Sequence, residues 1–439
     1  MRALYLWGAL LVVAAVVVVT GLQVQSRPPP PRAQDQTTAV DAGWYARLPA
    51  DADAATEAYV ARIPATMRAT GEHYSDTRLV AFTLRVANLL LATALLCALR
   101  FGPRLRGALG RFTSRALVAD SLFVLLYLGA IFVLTLPGEL YGDYVRPHQS
   151  GFTEQLFGQW LSDAAISYAV LAVFYVIGIL AIYRLMRRSA SRWVYWSVGV
   201  YLILRATYTL LSPGFIEPLT NSFTQLPEGP QKQEILALAT AAGVRNAEIV
   251  TGNASRQTRV PNAHVSGLGG SARISVDDNT LSSSSDAMLR AVVGHELGHY
   301  ALHHEEILVL ADTAVMFVGF LFVAGLNSAL VRRWGSRLAV GSVGDMAGLP
   351  LFWGAFLLWG FLSQPFTNAI SRVVEHQADL YSLEHAREPN GLAEFMIHDA
   401  DNARLSPKPL EYALFYTHPG DVARVRTAMQ WRAAHPAGK

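Results

Sequence analysis

The residues best placed to do chemistry lie in one short stretch, Val292-Val293-Gly294-His295-Glu296-Leu297-Gly298-His299-Tyr300. Its spacing is His-Glu-x-x-His. Side chains four apart on an α-helix share a face, so His295 and His299 can hold one metal ion between them. Glu296, one residue on, can reach a water beside that metal and serve as its general base. This is the arrangement of a zinc peptidase. The flanks favour a helix. Val292, Val293 and Leu297 are apolar, Gly298 is small, and Ser284, Ser285 and Asp286 offer capping chemistry upstream. The pattern predicts a helix over 286–303.

A hydrolytic zinc needs three protein ligands and an open position. The third ligand can be His, Glu or Asp. The best candidate is Glu375, in Ser371-Arg372-Val373-Val374-Glu375-His376-Gln377-Ala378-Asp379, expected just after an apolar span and at the start of a helix. Asp379, four residues on, shares its face and can accept the free ring N–H of a ligating histidine. On its own the stretch also reads as an ordinary helix with solvated acids. His418, in Thr417-His418-Pro419-Gly420-Asp421-Val422-Ala423-Arg424, is a candidate for stabilising an oxyanion. His303, His304 and His376 read as structural or solvated.

These residues sit in an apolar chain. Of 439 residues 52% are hydrophobic and 16% charged, against about 25% charged in soluble domains. Mean hydropathy is +0.27. The net charge of +3 gives no reason to expect a nucleic-acid partner. Cys97 is the single cysteine, which excludes an internal disulfide and any cysteine-based zinc site. Apolar runs long enough to cross a bilayer fall at about 3–22, 79–99, 117–136, 164–183, 193–211, 308–330 and 349–370, about seven spans. The first is read as an uncleaved anchor over 1–22. Residues 23–78 are read as a linker plus a packing helix, opening on the stiff run Pro28-Pro29-Pro30-Pro31. Arg85, Asp120 and Arg205 fall inside spans, either facing a polar interior or marking span ends. The bundle occupies 79–211. Residues 212–306 carry an amphipathic helix over 230–243, three short strand-like pieces at 247–251, 260–268 and 272–276, and the metal helix. Gly267, Gly269 and Gly270 are expected to turn between the last two strands. Two spans fill 307–370, and 371–439 is a polar, helical tail.

On these motifs the chain resembles the type I CaaX prenyl endopeptidases, with their HtpX-like relatives, a family of integral-membrane zinc metallopeptidases. The family pattern is a His-Glu-x-x-His helix, a pair of spans, then Ser-Arg-x-x-Glu-x-x-Ala-Asp, which residues 371–379 match at every fixed position. The resemblance implies Glu375 as third ligand, Asp379 behind it, and His418 with Arg424 of His-Pro-x-x-x-x-Arg beside the zinc. It also implies that Asn262-Ala263 lies on an edge strand that aligns substrate by strand addition. Ser212–Leu219 looks like the entry to the catalytic part, and His148-Gln149-Ser150-Gly151-Phe152 is a weaker loop match. The implied fold is mainly α: a polytopic membrane helix bundle carrying a zincin-like catalytic domain with a small β-sheet edge. The implied cofactor is one Zn²⁺ per chain. The implied partners are the bilayer and a peptide or protein substrate, membrane-embedded or lipidated, in a chamber formed by the spans.

The charges point elsewhere on orientation. Arg100, Arg104, Arg106, Arg111, Arg115, then Arg184, Arg187, Arg188, Arg192, then Arg332, Arg333, Arg337 lie in loops of one parity. The opposite loop at 137–163 has only Arg146 against Glu139, Asp143, Glu154 and Asp163. Positive-inside counting sets the catalytic side outward, in a bacterial periplasm, whereas the resemblance implies a cytosolic site. Two other readings remain: an intramembrane site-2-type protease, and a scaffold or transporter with a structural zinc. A structural zinc has four protein ligands and no adjacent base.

Overall fold

The structure is a computed structural model that describes residues 2–27, 30, 40–244, 247–266 and 273–436. The expected glycine turn at 267–270 and most of the proline run lie outside the described residues. The membrane part is built from long apolar helices, as a chain with so few charges requires. These are α1 (Arg2–Gln25), α4 (Ala65–Ala98), α6 (Ala116–Glu139), α8 (Phe157–Arg188), α9 (Trp193–Leu211), α13 (His304–Leu338) and α14 (Leu349–His385). Six of them, α4, α6, α8, α9, α13 and α14, have the length and apolar content to cross a bilayer, and α1 is apolar over Leu10–Gln25. The chain is an integral, multi-pass membrane protein. Helix α1 packs on the others: Gly21 lies against the Phe157 ring, and the Phe157 N–H donates to Gln25 Oε1 at 2.8 Å. The bundle core is aromatic and aliphatic, with Tyr127, Tyr183, Phe320 and Phe352 all but fully buried.

Each of the charges expected inside spans meets a group of opposite charge. Arg85 meets Glu139 at 3.1 Å and Asp143 at 2.5 Å, Asp120 meets Arg187 at 3.0 Å, and Arg205 meets Glu305 at 3.2 Å. The arginine-rich loops gather at one end of the bundle. Helix α5 (Phe101–Phe112) lies there, Gly102 sits against the Ala347 carbonyl, Arg106 pairs with Asp345, and Gly344 abuts Arg187. At the other end α7 (Arg146–Gln149) and its loop meet the polar domain. Thr153 Oγ1 donates to the Gln257 carbonyl at 2.7 Å, and the Arg259 N–H to the Phe152 carbonyl at 2.8 Å.

The polar domain has a four-stranded sheet, β1 (Phe223–Gln225), β2 (Glu248–Gly252), β3 (Ala263–Ser266) and β4 (Arg273–Asp277), in the order β1-β2-β4-β3. Strands β2 and β4 are parallel, and β3 pairs antiparallel with β4 at the sheet edge. Helices α10 (Pro230–Ala241), α11 (Asp278–Ser283) and α12 (Asp286–Ala301) accompany it. Ile235 and Ala239 of α10 and Leu289, Val293 and Leu297 of α12 bury their apolar faces against Ile249, Ile274 and Val276. The remaining helices are α15 (Pro389–His398), α16 (Pro409–Phe415) and α17 (Asp421–Ala434).

Three expectations change. Glu375 does not begin a helix: α14 runs unbroken from the membrane through Asp379 to His385. Nothing between 366 and 376 stops it, since Gly is absent there and Ser371 and Arg372 continue the pattern. Helix α12 ends at Ala301 rather than 303, because His303 takes a left-handed conformation (φ 56°) and α13 starts at His304. Residues 42–61 form a helical pair, α2 (Ala42–Ala46) and α3 (Ala52–Ala61), each capped by an aspartate, Asp41 and Asp51. The pair packs on α15 and α17 through Tyr59, Met396 and Val425. Tyr59 donates to Asn390 Oδ1 at 2.8 Å, and Arg62 forks onto Glu394.

Candidate metal centre

Helix α12 is fixed at its start by Ser285, whose hydroxyl accepts from the Met288 N–H at 3.3 Å. It lies close against α14 because Gly294 and Gly298 face it. A Cβ on Gly298 would stand 3.2 Å from the Ala378 carbonyl oxygen, and one on Gly294 2.9 Å from Ser382 Oγ. Ser382 seals the contact by donating to the Ala291 carbonyl at 2.6 Å. This approach brings the two motif halves together although they lie 80 residues apart in the chain.

His295 Nε2 is 3.1 Å from His299 Nε2 and 3.1 Å from Glu375 Oε2, and His299 Nε2 is 3.6 Å from the same oxygen. The three ligand atoms lie within 4.8 Å of one another. Two imidazole nitrogens facing each other across a carboxylate favour a shared cation. Burial alone would lower the His295 pKa, but Asp379 and Glu375 outweigh it and hold it up at about 9. Two histidines and one carboxylate converging on one point are a donor set that fits zinc.

Behind His295, Asp379 is fully buried and its Oδ1 accepts from Nδ1 at 2.9 Å. Arg424 of α17 donates to both Asp379 oxygens, Nε to Oδ2 at 2.8 Å and Nη2 to Oδ1 at 2.5 Å. Burial costs the guanidinium, but Asp379 beside it holds its pKa above the ordinary arginine range. Its hydrogen bonds thus go to the group behind the ligand. His418 is on the open side, half-exposed, with Nε2 3.1 Å from Glu375 Oε2.

His304, expected to be merely structural, stands behind His299. It is 1% exposed, its Nδ1 lies 3.0 Å from His299 Nδ1, and its Nε2 lies 3.2 Å from Gln377 Oε1. Donor and acceptor capacity orders this chain. If His299 offers Nε2 to a cation, its Nδ1 carries the proton and donates to His304 Nδ1, and His304 Nε2–H donates to Gln377. Residues five apart do not share a face of one helix, so spacing hides this contact. The available signal was Glu305-Glu306, the acidic first turn of a new helix. His303 and His376 are exposed.

Glu296 faces two cavities, one of about 550 Å³ reaching Arg205 and Tyr208 in the bundle, and one of about 330 Å³ bounded by Arg78, Phe395 and Tyr416. Strand β3 runs between them: Asn262 and Ala263 line the smaller, Val265 and Ser266 the larger. Asn262 is pinned through its backbone, its N–H and carbonyl both bonded to Thr280 Oγ1 at 2.7 Å, while its side chain is exposed. Among the described residues β3 is paired on one side only.

Known proteins carry the same plan. Residues 226–432 match the model of peptidase family M48, and residues 69–222 match the CAAX prenyl protease N-terminal domain of five membrane helices. An uncharacterized metalloprotease of Bacillus subtilis, YhfN, is 30% identical over 58% of this chain and 62% of its own length. The probable CAAX prenyl protease 1 of Schizosaccharomyces pombe is 26% identical over 65% of this chain and 60% of its own. The matches therefore span less than two thirds of these two relatives. CAAX prenyl protease 1 of Saccharomyces cerevisiae is 28% identical over 70% of this chain and 72% of its own. The crystal structure of S. mikatae Ste24p shares the fold, with a TM-score of 0.66 over 96% of this chain and 99% of that one, at 19% identity. The family is one of metalloproteases, so a metal cofactor is implied. With both halves matched in order, the chain belongs to peptidase family M48, the integral-membrane metallopeptidases that include the CAAX prenyl proteases.

Proposed function

We propose that this protein is a zinc-dependent endopeptidase of the membrane, with one zinc per chain held by His295, His299 and Glu375. The observation that carries this is the convergence of their ligand atoms within 4.8 Å, beside Glu296 and a strand edge unpaired among the described residues. Bound zinc supplies a water acidified towards a pKa of about 7 and an electrophile for the carbonyl oxygen. Glu296 takes the proton from the attacking water and delivers it to the leaving amine. His418 donates a hydrogen bond to the carbonyl oxygen as charge develops there. Asp379 and Arg424 fix the tautomer and orientation of His295. Asn262 and Ala263, on the edge strand, align the extended substrate backbone. The catalytic domain is assembled from 212–306 and 371–439, with 307–370 returning the chain through the membrane. Glu296→Gln tests the mechanism. The variant should keep its zinc and lose peptidase activity by about 10²–10⁴-fold, and wild-type turnover by it would sink the assignment.

The substrates are membrane-associated, lipidated or misfolded polypeptides. In support, an apolar cavity of about 440 Å³ among α8, α9, α13 and α14 shares Arg205 and Tyr208 with the larger catalytic cavity. An apolar or lipid-bearing segment could therefore lie in the bundle while its backbone reaches Glu296. The catalytic face is the outer, periplasmic face of a bacterial inner membrane. The arginine-rich loops meet at the far end of the bundle from the metal centre, and positive-inside counting assigns that end to the cytoplasm. Prenylation is cytosolic, so CaaX processing is the alternative tied to the opposite orientation. A single cysteine at the C-terminus, in a Cys97→Ala background, decides by its labelling. Protection from an impermeant reagent in intact cells would overturn the outward orientation and favour prenyl-peptide processing.

A further inference from the structure

The end of the bundle far from the metal centre is short of anions. Its segments 99–120, 183–197 and 331–349 hold twelve arginines, all exposed, and two acids, Asp120 and Asp345. Asp120 is engaged by Arg187 at 3.0 Å, and Asp345 by Arg106. The other ten arginines have no ion pair among the described residues. Like charges on one surface repel one another, and an anion from outside relieves that repulsion. Every cation there is arginine, whose planar fork matches phosphate oxygens two at a time. Helix α5 shapes part of this surface. Its Leu109 is buried against the bundle with Phe101 and Leu105 beside it, so Arg104 and Arg111 face outward. A basic amphipathic helix laid on the end of a membrane bundle suits the headgroup layer. The arginines are also interleaved with exposed apolar side chains. Phe112 follows Arg111 and is 77% exposed, Trp196 lies one turn after Arg192 at 63%, and Trp334 follows Arg333 at 41%. Trp196 and Trp334 stand near the ends of α9 and α13, continuous with the spans, where aromatic side chains meet the bilayer interface. A soluble polyanion on the arginines would leave these rings in water, whereas a bilayer buries them.

We propose that this end of the bundle is a binding surface for anionic phospholipids. The guanidinium groups of α5, of the α8–α9 turn and of the end of α13 hold the headgroup phosphates, and the exposed rings lie among the upper acyl carbons. Juxtamembrane clusters of basic side chains attract anionic lipid in this way. Lipid held there offsets the repulsion between the three segments and so ties this end of the bundle together. Such binding depends neither on the peptidase activity nor on which end faces the cytoplasm.

The test uses full-length protein in an uncharged detergent, equilibrated with equal amounts of phosphatidylglycerol and phosphatidylcholine bearing the same acyl chains. Mass spectrometry counts the lipids that stay bound through gel filtration. Phosphatidylglycerol should be retained roughly tenfold over phosphatidylcholine at low salt, and the ratio should shrink as salt is raised. Phosphatidylglycerol should also raise the melting temperature more than phosphatidylcholine does. In the triple variant Arg111→Gln/Arg192→Gln/Arg333→Gln the ratio should fall most of the way to unity, and each single substitution should lower it about twofold. Lysine at the same three positions should keep most of the preference, which guards against a glutamine variant that misfolds. Arg426→Gln, on the exposed face of α17, should leave the ratio unchanged. Equal retention of the two lipids by the wild type overturns the proposal. So does a preference that Arg426→Gln lowers as much as the triple variant, because it then follows total charge and not this surface. Capture of a single-stranded RNA in preference to phosphatidylglycerol at the same salt would also overturn it, giving the surface to a soluble polyanion.

Discussion

His295 and His299 stand one turn apart on the same helix and are held from behind in opposite ways. His295 is backed by charge: Asp379 on α14, itself gripped by Arg424 on α17. His299 is backed by a neutral relay, His304 and then Gln377. The first support is assembled from segments 84 and 129 residues away, and the second begins five residues downstream. One side of the metal centre is thus only as good as the docking of the tail, while the other is built mainly from the α12–α13 turn. The difference also sets where each side is fragile. A buried ion pair stabilises little over an apolar replacement but costs much when one partner is removed. A neutral relay loses less when it is cut.

The largest effect is therefore expected at Asp379. Asp379→Asn keeps the shape but strands Arg424 in a buried site, which should cost about 3–5 kcal/mol of stability. It should also weaken zinc binding about 10–100-fold. Thermal unfolding in detergent and competition with a chromophoric chelator measure the two separately. The double variant Asp379→Asn/Arg424→Met removes the stranded charge and should recover part of the stability but none of the metal affinity. Full additivity of the two substitutions would show that the pair is not coupled, and the charged side of the comparison would fall.

Cutting the neutral side comes next. His304→Ala should weaken zinc binding about 10–100-fold with a smaller loss of stability, since no charge is stranded. His304→Gln offers a carbonyl oxygen to His299 Nδ1–H and should restore most of the affinity. Chelator stripping should accordingly run faster in the alanine variant than in the glutamine one. If both strip alike, His304 only fills space.

The two supports were also unequally legible in the sequence. His295 and His299 announce themselves by their spacing. Glu375 and Asp379, also four apart, read on their own as an ordinary helix and stand out through the family resemblance. The structure brings these four together. The spans were legible because a bilayer demands long apolar runs, and each expected run falls on one helix, to within a residue at its ends. Helix ends were not, since a helix leaving the membrane gives no polar stop when its next turns suit a polar domain equally well, as α14 does past Ile370. His304 was hidden by a single left-handed residue, His303, which no propensity forces on a histidine. The packing of α2 and α3 on the tail was hidden for another reason. Trp44, Tyr45 and Tyr59 signal that something is buried there, but not that α15 and α17 bury it.

That packing lies behind the charged side and gives a smaller effect. Arg62 forks onto Glu394 of α15 and stacks on Trp44 at 4.4 Å. Arg62→Ala should cost about 1–3 kcal/mol, the worth of a partly buried charged hydrogen bond. Through the docking of α15 and α17 it should loosen Arg424 before it touches the His304 relay. Hydrogen exchange should quicken in α17 and not at the α12–α13 turn. Equal quickening at both would mean that the two supports share one cooperative unit.

The smallest effect separates the supports by pH. Asp421, one turn before Arg424 on α17, has its carboxyl pushed up to about 7 from 3.8, by burial first and by Asp399 second. A raised folded-state pKa means that the native protein binds the extra proton between about pH 4 and pH 7. Stability should therefore fall as pH rises through that window and be level above it. The full shift corresponds to about 4 kcal/mol, but Asp421 is only partly shielded from solvent, and screening should leave about 1 kcal/mol. Asp421→Asn removes the titration, so its melting temperature should show a correspondingly weaker decline between pH 4 and pH 7. His304→Ala removes a buried histidine that burial and its neighbour His299 hold neutral, a group that opposes folding when it is protonated. The decline in this variant should therefore be steeper than the wild type's and never shallower. A slope that persists in Asp421→Asn and vanishes in His304→Ala would reverse the assignment of charge to one support and neutrality to the other.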